Sequence, residues 1–198
     1  MKCLVALAHP LNDSFCASLA RDVCDELRKG GAEVAFVDLY ARDFDPRLTG
    51  LERKAYYGAA DTTGVQTELA ELLQAEALVL VFPTWWFGFP AILKGWFDRV
   101  WAPGHAYDHS ADLGSIRPRL AGLRDVLAIT TMGSPAWVDL FVMRRPVRRI
   151  LKYALLGVCA PRCRFRMATL YRAERLDASQ AELFRAKVRG LARGLGRR

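Results

Sequence analysis

The 198-residue sequence predicts an α/β fold: a three-layer, doubly wound domain on a five-stranded parallel sheet. Two observations carry that expectation. Short apolar runs alternate with longer amphipathic stretches along the chain, as strand–helix repeats do. The runs are near-continuously apolar, which is how strands read when helices cover both faces of their sheet. With 52% hydrophobic residues and neither an internal repeat nor a low-complexity break, residues 1–198 read as one domain able to bury a core.

Lys2 to Ala8 is the first strand. A helix over Ser14 to Lys29 follows, with Phe15, Leu19, Val23 and Leu27 on one stripe, an N-cap among Asn12, Asp13 and Ser14, and Gly30-Gly31 as its stop. Glu33 to Leu39 gives the second strand, Thr67 to Glu76 the second helix, and Ala77 to Phe82, "ALVLVF", the third and most apolar strand. Pro90 to Trp101 is a helix begun by proline, with Ile92, Leu93, Trp96, Phe97, Val100 and Trp101 at helical spacing, so its tryptophans belong to the core. Asp125 to Thr131 is the fourth strand, Pro146 to Val158 a helix, and Arg164 to Leu170 the fifth strand. Ser179 and Glu182 have the spacing of a capping box for a last helix. Tyr40 to Val65 and Gly104 to Arg119 are the long irregular stretches, where binding loops belong.

Composition narrows the function. The apolar run Ala77 to Leu93 is broken by Pro83, Gly88 and Pro90, so no transmembrane helix is expected, and the N-terminal "MKCLVALAHP" is too short for a signal peptide; a cytoplasmic location follows. Five cysteines without paired spacing read as reduced thiols, and "CAPRC" lacks the second pair a metal centre needs. The net charge of +8 is concentrated late: residues 141–198 hold 16 Lys and Arg against 3 Asp and Glu. Such a bias could serve an acidic partner, a phosphate-bearing ligand or an anionic membrane surface; a solvated basic face is the commoner explanation, and no nucleic-acid-binding module accompanies it.

In a doubly wound sheet the ligand crevice lies at the carboxyl ends of the strands, near the point where the winding reverses. That singles out three loops. "HPLNDSF" brings His9, Asn12 and Ser14 to a helix N-terminus, whose free N–H groups favour a phosphate, although neither GxGxxG nor a P-loop is present. "PTWWFGFP" places Trp85, Trp86 and Phe87 between a buried strand and a proline-begun helix, where rigid aromatics suit a planar heterocycle or a subunit contact. "TTMGSPAW" offers the hydroxyls and amides of Thr130, Thr131, Met132 and Gly133 to a ring's polar edge. A phosphate end, a flat face and a polar edge together suit a flavin nucleotide.

The segment "FPTWWFGFPAILKGWFDRVW", with "AHPLNDSF", "DLYARDFDP" and "TTMGS" in the same order over residues 3–140, resembles the NAD(P)H:quinone oxidoreductases of flavodoxin-like fold. That resemblance implies a flavin, FMN or FAD, and NAD(P)H as co-substrate. It implies that His9, Ser14, Phe15 and Cys16 hold the ribityl phosphate, Cys16 standing where asparagine is common. Pro83, Thr84, Trp85, Trp86 and Phe87 would run along the isoalloxazine, and Thr130, Thr131, Met132 and Gly133 along its pyrimidine edge, Met132 replacing a usual glycine. Tyr107 and His109 would reach over from the second subunit of a homodimer to close the pocket on a quinone-like acceptor. The tyrosine and histidine that steady charge on the reduced flavin in that family fall near Val138 and Arg144, which leaves Arg144 as the cation for that task.

The activity implied is hydride transfer from NAD(P)H through the flavin to the acceptor, by a ping-pong route. Two other classes compete. A flavodoxin-type electron carrier is usually acidic, whereas this chain is basic. A regulatory subunit of a membrane transport system would use the basic face of Pro146 to Val158, where Arg148, Arg149 and Lys152 lie opposite the apolar stripe. The same pattern describes any sheet-covering helix with a charged outer side.

Overall fold

A computed structural model describes residues 1–109 and 115–197. Five strands form one parallel sheet in the order β2-β1-β3-β6-β7: β1 Lys2–Leu7, β2 Glu33–Asp38, β3 Ala77–Pro83, β6 Asp125–Met132 and β7 Arg164–Tyr171. The chain moves outward from β1 to β2, then returns to the other side of β1 for β3. The winding therefore reverses between β1 and β3, and β1, β3 and β6 are adjacent with their carboxyl ends at one edge.

Both faces of the sheet are buried, as the unbroken apolar runs require. Leu4, Ala6, Leu78, Leu80, Phe82 and Val126 look toward one layer, which contains α3 Gln66–Gln74 and α4 Ala91–Val100. Cys3, Val5, Leu7, Val79, Val81 and Ile129 look toward the other, made by α1 Phe15–Lys29 and α7 Ala178–Arg193. Removing a fully buried side chain such as Phe82 or Leu80 from either would cost about 2–5 kcal/mol. The α1–α7 layer is also sewn by charge, since Arg185 and Arg189 face Asp22, and Arg193 faces Glu26.

The predicted strands and main helices all form, with ends shifted by one or two residues. Ser14 caps α1, its Oγ accepting from the Ala17 N–H at 3.1 Å, and the chain leaves that helix through Gly30 and the left-handed Gly31. The expected Ser179/Glu182 box is replaced: Asp177 caps α7 by accepting from the Gln180 N–H at 2.8 Å, because the helix starts one residue before Ser179. A capping box does occur at Thr49 and Glu52, opening the short α2 Gly50–Lys54 inside the stretch expected to be irregular. The expected helix over Pro146 to Val158 begins as α5 Pro146–Arg149, widens into a π-helical stretch Ile150–Leu156, and closes as α6 Gly157–Cys159. Of the expected Gly104–Arg119 loop, residues 110–114 lie outside the described residues; the rest contains a small antiparallel pair, β4 Tyr107–Asp108 with β5 Arg117–Pro118.

The Tyr40–Val65 segment is pinned across α4. Arg99 is buried, pairs with Glu52 at 2.7 Å and donates to the Asp45 carbonyl at 2.5 Å. Gly95 leaves room for the crossing: a Cβ there would lie 2.2 Å from the Pro46 carbonyl oxygen. All five cysteines are free thiols, and no helix among the described residues is long and apolar enough to cross a membrane.

Candidate active site

The three loops singled out by the sequence meet at the tips of adjacent strands, and Thr131 joins them. Its carbonyl accepts from the Thr84 N–H at 2.8 Å, the Thr84 hydroxyl at 3.2 Å and the Thr130 hydroxyl at 3.4 Å. Its own hydroxyl lies 3.6 Å from the Cys16 Sγ in the first turn of α1. Pro83 pairs in register with Thr131 at the strand ends. Burial pushes the Cys16 thiol up to about 11, so at neutral pH it is a packed thiol and not a nucleophile.

On the first loop, His9 is half-buried and its Nδ1 accepts from the Leu11 N–H at 3.0 Å, which leaves Nε2 as its donor. Asn12 is exposed, its carbonyl taken by Arg21. The ring of Phe15 turns away from the crevice, toward Phe184 and beneath the Arg185 guanidinium. What this loop presents is therefore backbone: Ser14 satisfies Ala17, and the N–H groups of Phe15 and Cys16 open the helix.

On the second loop, Trp85 and Gly88 exchange backbone hydrogen bonds of 3.1 and 2.8 Å around a two-residue turn. Trp86 and Phe87 both hold left-handed conformations, with φ of 50° and 57°. A two-residue turn of this kind belongs to glycine and asparagine; holding two bulky aromatics in it costs on the order of 1–3 kcal/mol each. The turn's own bonds leave the Trp86 and Phe87 N–H groups outside it, and Trp86 is 97% exposed. On the third loop Thr130 and Met132 are buried and Gly133 is exposed, and next to it the buried Ser134 Oγ has no hydrogen-bond partner among the described residues. Strain, exposed tryptophan and an unsatisfied buried hydroxyl thus lie on neighbouring strand tips.

Tyr107 and His109 do not join this group. Tyr107 donates to the Tyr56 hydroxyl at 2.7 Å, and His109 sits 5.3 Å from the rings of Tyr56, Tyr57 and Tyr107, with Arg53 over the two tyrosines of the 40–65 segment. Burial, followed by that hydrogen bond, raises the Tyr107 phenol well above its ordinary range. Among the described residues neither side chain has a hydrogen bond or ring contact with the three crevice loops. Arg144 is exposed on a left-handed turn after the π-helical Val138–Val142.

Sequence reasoning missed Ser134, Asp139 and Tyr171. Tyr171 ends β7 directly opposite Met132 and donates to the buried Asp139 carboxylate at 2.8 Å. Burial and this bond push its phenol up to about 12. The strand-end rule that found the other loops applies to β7 as well and would have found Tyr171; Asp139, inside the apolar "WVDLFV", gave no signal.

A family described as flavodoxin-like fold matches residues 1–192. The chain is 35% identical over 158 residues to NAD(P)H dehydrogenase (quinone) 1 of Cavia porcellus, covering 70% of this chain and 56% of that protein. It is 35% identical over 152 residues to ribosyldihydronicotinamide dehydrogenase (quinone) of Mus musculus, covering 67% of this chain and 64% of that one. The chain thus spans less than two thirds of the length of these curated relatives. Among solved structures, an NAD(P)H:quinone oxidoreductase from Methanothermobacter marburgensis superposes with a TM-score of 0.85 at 26% identity, over 100% of this chain and 98% of that one.

Proposed function

Since this chain belongs to the family of flavodoxin-like fold, we propose that it is a flavin-dependent NAD(P)H oxidoreductase acting on a quinone-like acceptor. The observation that carries the reading is the strained, exposed Trp86–Phe87 turn beside the winding reversal, tied through Thr131 to the start of α1 and the end of β6. The names of the relatives agree with it.

The donor set fits a flavin. Phe15 and Cys16 N–H groups at a helix N-terminus suit the ribityl phosphate, with His9 Nε2 and the exposed Asn12 side chain beside them. The N–H groups of Trp86 and Phe87 face outward from a turn whose side chains provide an aromatic wall. The orphaned Ser134 hydroxyl and the Gly133 N–H suit the ring's pyrimidine edge. A bound flavin would supply the two-electron step, taking hydride from NAD(P)H and passing it to the acceptor. The protein's part is to hold the ring flat, exclude water and meet the charge that develops at the pyrimidine edge with N–H donors and a cation, for which Arg144 is proposed. No protein nucleophile is needed, in keeping with the buried Cys16 thiol.

The reading includes a homodimer. Among the described residues Tyr107 and His109 have no hydrogen bond or ring contact with their own crevice loops, and in this reading they close the partner's. Exposed Trp137, Phe141, Val142 and Tyr153 supply an apolar surface for pairing.

Purified protein should show flavin absorbance, release FMN or FAD by mass, and oxidise NADH or NADPH with benzoquinone along parallel double-reciprocal lines. Absence of bound flavin after incubation with both FMN and FAD would overturn the proposal. Retained quinone turnover in both Tyr107→Phe and His109→Ala would remove those two residues from it.

A further inference from the structure

Beyond the crevice, at the outer edge of β7, lies a cavity of about 190 Å³. Met132, the last residue of β6, forms one wall. Three cations reach the cavity from three directions: Arg145 from the turn before α5, Arg148 from α5 itself, and Lys187 from α7. Thr169 and Tyr171 of β7 line it as well, and the single carboxylate, Asp139, is occupied by the Tyr171 hydroxyl.

Arg145 and Lys187 are exposed and Arg148 is half-buried, and what sets the three apart from the other basic residues nearby is their pairing. On α7, Arg185, Arg189 and Arg193 each face a carboxylate of α1, and Arg164 at the start of β7 pairs with Asp125. Arg145, Arg148 and Lys187 form no ion pair among the described residues. Two of them are also held in place. Arg148 lies 5.3 Å over the Phe165 ring. Arg145 follows Arg144 in a pair of left-handed residues, φ 56° and 53°, and its N–H donates to the Asp139 carbonyl at 2.8 Å. Two consecutive strained arginines persist only where the surroundings enforce them. Against the one carboxylate, the three cations leave the lining two positive charges in excess.

We propose that this cavity binds a phosphate dianion, free or carried as a monoester. Such a group carries roughly −1.5 to −2 at neutral pH, close to the excess, and offers acceptor oxygens to three separate donors. The volume suits one phosphate group, with the rest of any nucleotide lying outside it. Two sources share the chemistry: inorganic phosphate, and the 2′-phosphate by which NADPH differs from NADH. The second source rests on the function proposed above; binding of phosphate itself does not.

The test is titration of the flavin-free and flavin-loaded protein with inorganic phosphate, NADP⁺ and NAD⁺, followed by calorimetry. Saturable binding of phosphate or NADP⁺, lost at least tenfold in Arg148→Gln and again in Lys187→Met, and restored in Arg148→Lys, supports the site. NADP⁺ binding at least tenfold tighter than NAD⁺, with that ratio falling toward one in the variants, identifies the nucleotide as the source. Phosphate binding with equal affinity for the two nucleotides identifies free phosphate. Affinities unchanged by the two substitutions in variants that keep the wild-type melting temperature would overturn the site, as would no binding of phosphate at 10 mM (on the order of a very weak affinity) together with equal binding of NADP⁺ and NAD⁺. Because calorimetry needs no turnover, failure of the oxidoreductase reading would leave this result interpretable.

Discussion

Two halves of one aromatic stretch have opposite fates. Trp96, on α4, and Trp101, at its C-cap, are 1% and 4% exposed, packed edge to face with Phe97. Trp85 and Trp86, about ten residues earlier, are 60% and 97% exposed, and Trp86 holds a left-handed conformation that disfavours it. The same residue type therefore answers to two different demands. In the helix, burial holds the rings; in the turn, the backbone is forced and the rings gain nothing from the core. Apolar surface kept out of the core at a conformational penalty marks a surface for a ligand or a second subunit.

The contrast breaks most forcefully at Trp96. Trp96→Ala should cost about 3–5 kcal/mol, read from the urea midpoint, whereas Trp86→Ala should move stability by less than about 0.5 kcal/mol while weakening flavin binding. If both substitutions destabilised equally, the division between core and platform would be wrong.

Next comes the pin that holds the 40–65 segment over α4. Glu52→Ala leaves Arg99 buried without its carboxylate and should cost about 3 kcal/mol. Glu52→Gln, which keeps a hydrogen-bond acceptor, should cost less.

A smaller effect of the opposite sign belongs to the turn. Replacing Trp86-Phe87 with Asn-Gly, the pair such a turn favours, should stabilise the fold by about 1–2 kcal/mol and lower flavin affinity. Loss of stability on that exchange would show that the aromatics support the fold.

The smallest concerns Cys16, beneath the crevice. Its folded-state value of about 11 exceeds the ordinary 9.0, so the stabilisation is complete below pH 9 and is lost as pH rises toward 11. Cys16→Ala should flatten its share of that decline in denaturation midpoints measured from pH 8 to 11.

Most of the fold was legible because unbroken apolar runs and helical stripes are local signals, and the helix with Trp96 and Trp101 was read correctly from spacing alone. The three crevice loops followed from the strand-end rule. What stayed hidden depends on three-dimensional register. The capping exchange between Thr49 and Glu52 lies in a stretch with little apolar periodicity, and the last helix is capped at Asp177, ahead of its competing Ser179 box. The π-helical widening at Ile150–Leu156 leaves an apolar pattern that reads as ordinary α-helix. The strain at Trp86 and Phe87 is invisible in composition; their positive φ angles reveal it, and the closing bonds of Trp85 and Gly88 surround it.

The Thr131 carbonyl has a consequence for what the crevice can accept. Three donors already converge on an oxygen with two lone pairs. That oxygen is therefore committed to tying the strand ends together, and it has no lone pair left to accept from a ring placed between them.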